Sequence, residues 1–429
     1  MKKKTLPIEI VQLTTLVPGG QALGELADGR KVFVWGALPG ETAQVQLTKR
    51  KSSWAEGVAV EIIAAAPERT APRDNESYLS TSPWQILSAE AEQEWKAKLV
   101  REAFRQEHIN VPEFNLQTDG KFYEYRNKME FSFWWDNDEE RLDLAFYRRG
   151  THGKIPVAGS SLARPEINAA AANILALLRA KKVEAYALKT LLIRCDQQGN
   201  VSAQLYVKDA DFAAISKAEV AALTLQGVQI IYSDPRSPAS VATKLLLSVG
   251  ESSLEDTAFG THFRYAVDGF FQVNLPVYEQ ALQAMQKWIA DDTEVIDLYS
   301  GVGTIGLTIG GDNVTLVETN QSCVNEMERN IAALGKHATA VHANSEDALE
   351  YITADKTIIV DPPRAGLHQK IVEQLLAVKP QRIIYLSCNP TTQARDVAHL
   401  LAQFDIKHVE AFNFFPRTPH IESLVVLEP

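Results

Sequence analysis

With 429 residues, 45% of them hydrophobic and 23% charged, the chain is long enough for two or three domains with sizeable cores. Its formal net charge of −11 argues against non-specific coating of a polyanion, but a net charge averages over faces and a local basic patch suffices to bind phosphate. No segment reaches about 18 unbroken apolar residues, and the opening Met1-Lys2-Lys3-Lys4 leads into a stretch interrupted by Glu9, Gln12 and Pro18 rather than a secretory core, so a soluble cytoplasmic protein with no membrane association is expected.

Residues 5–66 alternate short β-like runs with turns at Gly19-Gly20, Asp28-Gly29 and Pro39-Gly40, as a small closed barrel requires. The stretch GGQALGELADGRKVFVWGALPGE (19–41) resembles the TRAM domain, an OB-like RNA-binding module, taken to span 1–67. Residues 1–60 hold eight Lys or Arg against five Asp or Glu. Lys49-Arg50-Lys51 with Trp54 combines cations and an aromatic, as single-stranded RNA binding needs, although the same residues would also serve as a solvated hairpin tip.

Pro67 and Pro72 bracket a linker, and a helix is predicted around Glu90–Phe104, leading into a strand-rich central segment; 68–265 is read as an α+β RNA-binding domain. Its Phe122, Tyr123, Tyr125, Arg126, Lys128, Trp134, Trp135 and Tyr147-Arg148-Arg149 could stack on and clamp RNA, while strand aromatics more often fill a core.

From about residue 275, apolar strands alternate with helical patterns, which predicts an open parallel sheet binding its ligands outside the carboxyl ends of the strands. Glu294–Tyr299 opens into Ser300-Gly301-Val302-Gly303-Thr304-Ile305-Gly306, a G-x-G-x-x-G loop that suits a nicotinamide cofactor or S-adenosylmethionine equally. Glu318 ends the next strand with a carboxylate placed for a ribose hydroxyl. Thr357–Val360 runs into Asp361-Pro362-Pro363-Arg364-Ala365-Gly366, where paired prolines make a rigid turn that holds Asp361 over the cleft or merely caps a helix. Gln381–Leu386 stops at Ser387-Cys388-Asn389-Pro390. Cys388 therefore lies between a strand's carboxyl end and a helix's amino end, where the dipole favours thiolate and a lowered thiol pKa is expected; a lone cysteine is otherwise a small core residue.

The set DLYSGVG (297–303), DPPRAG (361–366), SCNP (387–390) and FPRTPHIES (415–423) resembles the RNA (uracil-5-)-methyltransferase family, as do Phe270–Asn274 and Tyr125–Phe131. The resemblance implies a Rossmann-like domain over 266–429 that binds S-adenosylmethionine. It also implies Cys388 as nucleophile, Glu422 as the base that removes the carbon-5 proton, and Asp361 on the uracil edge. Gln272, Tyr299, Gly301, Gly303, Glu318, Asn344 and Asp361 would touch the cofactor, and Arg126 would touch RNA. The apolar strand Leu424–Leu427 after Glu422 should raise that carboxyl's pKa. Arg417 and Pro419 depart from the commonest family pattern, which has His and Gly there. Arg364 and Arg395 are readable as enolate or phosphate contacts or as surface arginines.

Many relatives of this layout carry an iron–sulfur cluster held by four cysteines. The chain has only Cys195, Cys323 and Cys388, too few for that and too widely spaced for a disulfide framework. The chain is expected to be cluster-free, with Ser77–Gln85 held by aromatic packing and no metal constellation among the nine histidines. The expected partner is structured RNA, 23S ribosomal RNA before transfer RNA, with no protein partner inferred. The competing readings are an amino-methyltransferase using the Asp-Pro-Pro turn, a nicotinamide oxidoreductase, and a non-catalytic RNA-binding protein.

Overall fold

The computed structural model describes residues 6–151, 153–290 and 293–429; the lysine run Lys2–Lys4 lies outside them. Strands β1 (Ile8–Leu16), β2 (Ala22–Glu25), β3 (Lys31–Trp35), β4 (Thr42–Arg50) and β5 (Trp54–Ala64) close a barrel in the order β1-β2-β3-β5-β4. The period-two pattern turns Val11, Leu13, Val32, Val34, Ala43 and Val45 inward, all buried, which is the closed barrel expected from the turn spacing.

The helix Ala89–Gln106 is capped by Ser88, whose hydroxyl accepts from the Ala91 N–H. With β6 (Leu116–Gln117) it packs on the carboxyl-terminal part of the chain: the helix lies against the helix Pro390–Leu400, and β6 pairs with a strand of the carboxyl-terminal sheet. One continuous core joins the barrel, this helix and that sheet.

A separate seven-stranded sheet has the order β13-β12-β11-β10-β7-β8-β9, built from β7 (Lys128–Asp136), β8 (Arg141–Tyr147), β9 (Lys154–Val157), β10 (Leu188–Cys195), β11 (Val201–Val207), β12 (Gly227–Tyr232) and β13 (Lys244–Gly250). The helix Pro165–Ala180 covers it with Ile167, Ala171, Ile174 and Leu178. A two-stranded ribbon, β14 (Ser253–Ala258) and β15 (Thr261–Ala266), leads to the helix Leu275–Gln286.

The carboxyl-terminal sheet contains β16 (Val295–Leu298), β17 (Val314–Glu318), β18 (Thr339–His342), β19 (Thr357–Val360), β20 (Arg382–Ser387), β21 (Asp405–Phe412) and β22 (Glu422–Glu428), in the order β18-β17-β16-β19-β20-β22-β21-β6. Near-continuous apolar runs such as Thr357–Val360 are buried on both faces, as parallel strands under helices must be. The sheet is mixed, however, rather than wholly parallel. β22 runs antiparallel to both β20 and β21, because only the short segment 413–421 joins β21 to β22, and a parallel return needs a crossover of a dozen or more residues.

Candidate active site

Strand register brings the polar strand ends to one edge. Leu298 pairs with Val317 and with Val360, so one residue further on Tyr299 lies between Glu318 and Asp361. Val360 pairs with Tyr385, and Ser387 pairs with Ser423. The next position outward sets Cys388 opposite Glu422. Glu422 also pairs with Phe412 across β21 and is 5% exposed.

Cys388 is half-buried on the wall of a cavity of about 360 Å³ that is also lined by Arg149, Arg364, Asn389, His420 and the barrel residues Pro18 and Gly19. Burial first, then the nearby Glu422 and Asp361 carboxylates, push its thiol up to about 11, against the smaller opposing effect of Arg364. The expectation of a lowered thiol pKa is therefore wrong for this state of the protein. The helix start is weak beside those effects: its first residue, Pro390, has no N–H, and the Asn389 side chain already accepts from the Thr391 N–H. Burial also raises Asp361 to about 7 and, together with the Asp361 charge, holds Glu422 well above the usual carboxylate range. The upward direction for Glu422 agrees with the expectation from its apolar strand.

The glycine loop is built for close approach. Gly303 has φ +88°, and a Cβ there would lie 2.8 Å from Leu307 Cδ1. Tyr299, at φ +65°, is a non-glycine residue in the left-handed region, a strain of the kind that collects at functional sites. The Gly306 N–H donates to Asp297 Oδ2 (2.8 Å), while Gly301 N–H and Asn320 N–H donate to Glu318 Oε2 and Oε1 (2.9 and 2.7 Å). Glu318 is thereby oriented at the cleft with lone pairs to spare. Asn344 sits exposed two residues beyond β18, its amide tied to Thr319 and Asp347. Gln272 is buried before the helix Leu275–Gln286, and its carbonyl accepts from Asn127 Nδ2 at 2.9 Å.

The loop carrying His420 and Glu422 is gripped from behind. Fully buried Glu92 and Lys96 pair at 3.0 Å, the Glu92 carboxylate accepts from the Asn413 amide and the Arg417 N–H, and Lys96 donates to Asn413 Oδ1 and Phe415 O. Arg417, the departure from the family pattern, takes φ +64° and donates Nη1–H to Leu87 O at 2.6 Å. Tyr125, a proposed RNA-stacking residue, is buried and donates its hydroxyl to Pro416 O at 3.0 Å, so it holds this loop instead. Sequence patterning missed the Glu92–Lys96 pair, because an i,i+4 pair on a helix normally marks a solvated face.

Arg126 is half-buried, its Nε enclosed without a partner among the described residues, and its charge reaches His420. Lys49, Arg50, Lys51 and Trp54 do not line the Cys388 cavity. Lys49 lies over the Trp54 ring and pairs with Glu56 at 3.4 Å, Arg50 pairs with Asp28 at 2.9 Å, and Lys51 is exposed. In the Ser77–Gln85 segment, Trp84 is buried as expected and donates to Gly20 O, while Gln85 adds bonds to Asp74 and Ser82. Among the described residues no group of three or more His, Cys, Asp or Glu could hold a metal, and no helix is long and apolar enough to cross a membrane.

Residues 347–429 match the family model for tRNA (Uracil-5-)-methyltransferase, and residues 1–60 match that of the TRAM domain. The resemblance read from the motifs thus agrees with the family model that the carboxyl-terminal residues match. Curated relatives named uncharacterized RNA methyltransferases align end to end. One from Lactiplantibacillus plantarum is 29% identical, covering 99% of each chain, and one from Enterococcus faecalis is 28% identical, covering 99% of this chain and 97% of its own. The fold is shared with Pyrococcus abyssi tRNA (uracil-54, C5)-methyltransferase, solved with S-adenosyl-L-homocysteine: TM-score 0.78, 20% identity, covering 97% of this chain and 99% of that one. It is the mixed architecture expected, a Rossmann-like methyltransferase domain with an OB-like barrel at the amino end.

Proposed function

We propose that this protein transfers a methyl group from S-adenosylmethionine to carbon 5 of a uridine in structured RNA, with ribosomal RNA as substrate ahead of transfer RNA. The observation that carries this reading is the register that sets Cys388 opposite Glu422, with Asp361 ending the adjoining strand. The fit to the donor rests on the oriented Glu318 carboxylate and the close-packed glycine loop. Gln272, Tyr299, Gly301, Gly303, Glu318, Asn344 and Asp361 would hold it. S-adenosylmethionine supplies an electrophilic methyl group.

Carbon 5 of uracil is too weak a nucleophile to take that methyl unaided. Cys388, once its thiol proton has passed to water, would add to carbon 6 and push electron density to carbon 5, making that carbon able to accept the methyl group the donor supplies; Glu422, as a carboxylate, would then remove the carbon-5 proton as the carbon–sulfur bond breaks and the thiolate leaves. Burial makes Asp361 and Glu422 ionise late, so a proton kept by Asp361 relieves repulsion of the thiolate, whereas Glu422 must be ionised to act as the base. The target base must leave its stack, at a cost of roughly a few kcal/mol that loop contexts reduce. Arg126, whose charge reaches the cavity residue His420, would hold the flanking strand with Lys49, Arg50, Lys51 and Trp54 on the barrel.

RNA bearing 5-fluorouridine should trap the enzyme in a denaturant-resistant adduct, because fluorine cannot be removed as a cation. An adduct that persists in Cys388→Ala would remove Cys388 from its role. Scoring ribosomal RNA and transfer RNA transcripts for methyl incorporation decides the substrate.

A further inference from the structure

Two loops meet at the Cys388 cavity and are stitched to each other. The Arg364 carbonyl, in the Asp-Pro-Pro-Arg turn, accepts from Asn389 Nδ2 at 2.8 Å and from Thr392 Oγ1 at 3.2 Å, both just beyond Cys388. The Arg364 side chain turns back over the cavity and donates Nη2–H to His420 Nδ1 at 2.6 Å. His420 is set in turn by its N–H to Thr418 Oγ1 and by an edge-on contact with Phe415. Burial and the surrounding Arg364, Lys96, Arg126 and Arg149 hold its imidazole down to about 4, so Nδ1 keeps the lone pair this bond requires.

Among the described residues Arg364 forms no ion pair with a carboxylate, whereas Arg395 is paired with Asp396. The other arginine lining the cavity, Arg149, is committed elsewhere: its guanidinium lies over the Trp35 ring and donates to the Leu79 carbonyl. Arg364 is thus an anchored cation whose charge is not spent on a carboxylate, facing the same space as the sulfur.

We propose that Arg364, held by His420 and Asn389, is the positioning residue that stabilises the Cys388 thiolate, both when the sulfur adds to the pyrimidine and when it is expelled. The proposal rests on Cys388 being the nucleophile. Opposite charge favours the ionised thiol, in opposition to the burial and carboxylates that suppress it. Arg364 is exposed in the free protein, so salt screens its effect there, and RNA covering the cavity would strengthen it by excluding water.

The test is iodoacetamide alkylation of the full-length protein without RNA, from pH 6 to 10, quantified on the Cys388 peptide with buried Cys195 and Cys323 as internal references. Arg364→Gln should slow alkylation at pH 8 by roughly tenfold, the equivalent of one pKa unit. Arg364→Lys should retain most of the wild-type rate, and His420→Phe, which removes the anchor, should fall between. Added salt should bring the wild type toward Arg364→Gln. A wild-type profile in Arg364→Gln, with a raised KM for RNA, would make Arg364 a phosphate ligand and overturn the proposal; so would equal losses in the Gln and Lys variants, which would indicate packing rather than charge. Alkylation needs no turnover, so an error over Cys388 as nucleophile would appear in the fluorouridine experiment and leave this measurement intact.

Discussion

Replacing Glu92 with Ala should destabilise the seam between the helix Ala89–Gln106 and the loop 413–421 more than any surface change. The carboxylate is fully buried; it pairs with Lys96 at 3.0 Å and accepts from Asn413 Nδ2 and the Arg417 N–H at 3.0 Å each. Its removal leaves the buried Lys96 ammonium uncompensated, a cost of about 3–5 kcal/mol. Two donors are also left without an acceptor, each worth roughly 1–3 kcal/mol less whatever water enters the space. A total of at least about 5 kcal/mol is expected. At roughly 2–4 °C per kcal/mol for a unit of this size, the melting transition should fall by at least about 10 °C. Trp84 is buried with Lys96 5.8 Å from its ring, so tryptophan fluorescence reports on this seam. The double variant Glu92→Gln/Lys96→Met keeps the shape and removes both buried charges, and it should recover most of the loss. A Glu92→Ala protein melting within about 2 °C of wild type, or a double variant less stable than the single, would refute the reasoning.

Asp297 is fully buried, accepts one bond from the Gly306 N–H, and has its second oxygen without a partner among the described residues. Burial raises its pKa to about 8, against an unfolded value near 3.8. The folded state therefore keeps a proton that the unfolded chain has already lost, and this group's contribution is present below about pH 4 and lost as pH rises to about 8. Asp297→Asn should flatten that part of the fall in melting temperature between pH 5 and 8, and an unchanged slope would contradict the assignment. Glu422→Gln should let sulfur addition and methylation proceed but block proton removal, so a denaturant-resistant methylated adduct should accumulate on natural RNA; turnover at the wild-type rate would exclude Glu422 as the base.

The elements that repeat locally were readable from the residues. Alternation and turn chemistry marked the barrel strands, and four-residue apolar runs ending at Glu318 and Asp361 marked the buried strands of the sheet. Cys388 was legible for the same reason, since it stands where an apolar run stops. The mixed character of the sheet was not, because the short 413–421 return decides strand direction and an apolar run carries no sign of it. The ionic seam of Glu92, Lys96 and Arg417 was equally hidden: a Glu and a Lys one turn apart read as solvated until the helix is seen packed against the loop. Tyr125, readable either as an RNA-stacking or as a core aromatic, is buried for a comparable reason, its hydroxyl partner lying almost three hundred residues away in the chain.

By itself the amino-acid order determined which side chains stand at strand ends, because two-residue periodicity and glycine–proline punctuation are properties of neighbouring residues. Only tertiary structure decided the ionisation of those groups. A pKa depends on water excluded by distant segments and on charges brought within a few ångströms by register. Cys388 shows the difference: its place after a strand and before a helix suggested a thiolate, whereas burial by the surrounding protein, and then the Glu422 carboxylate set opposite it, push the thiol up.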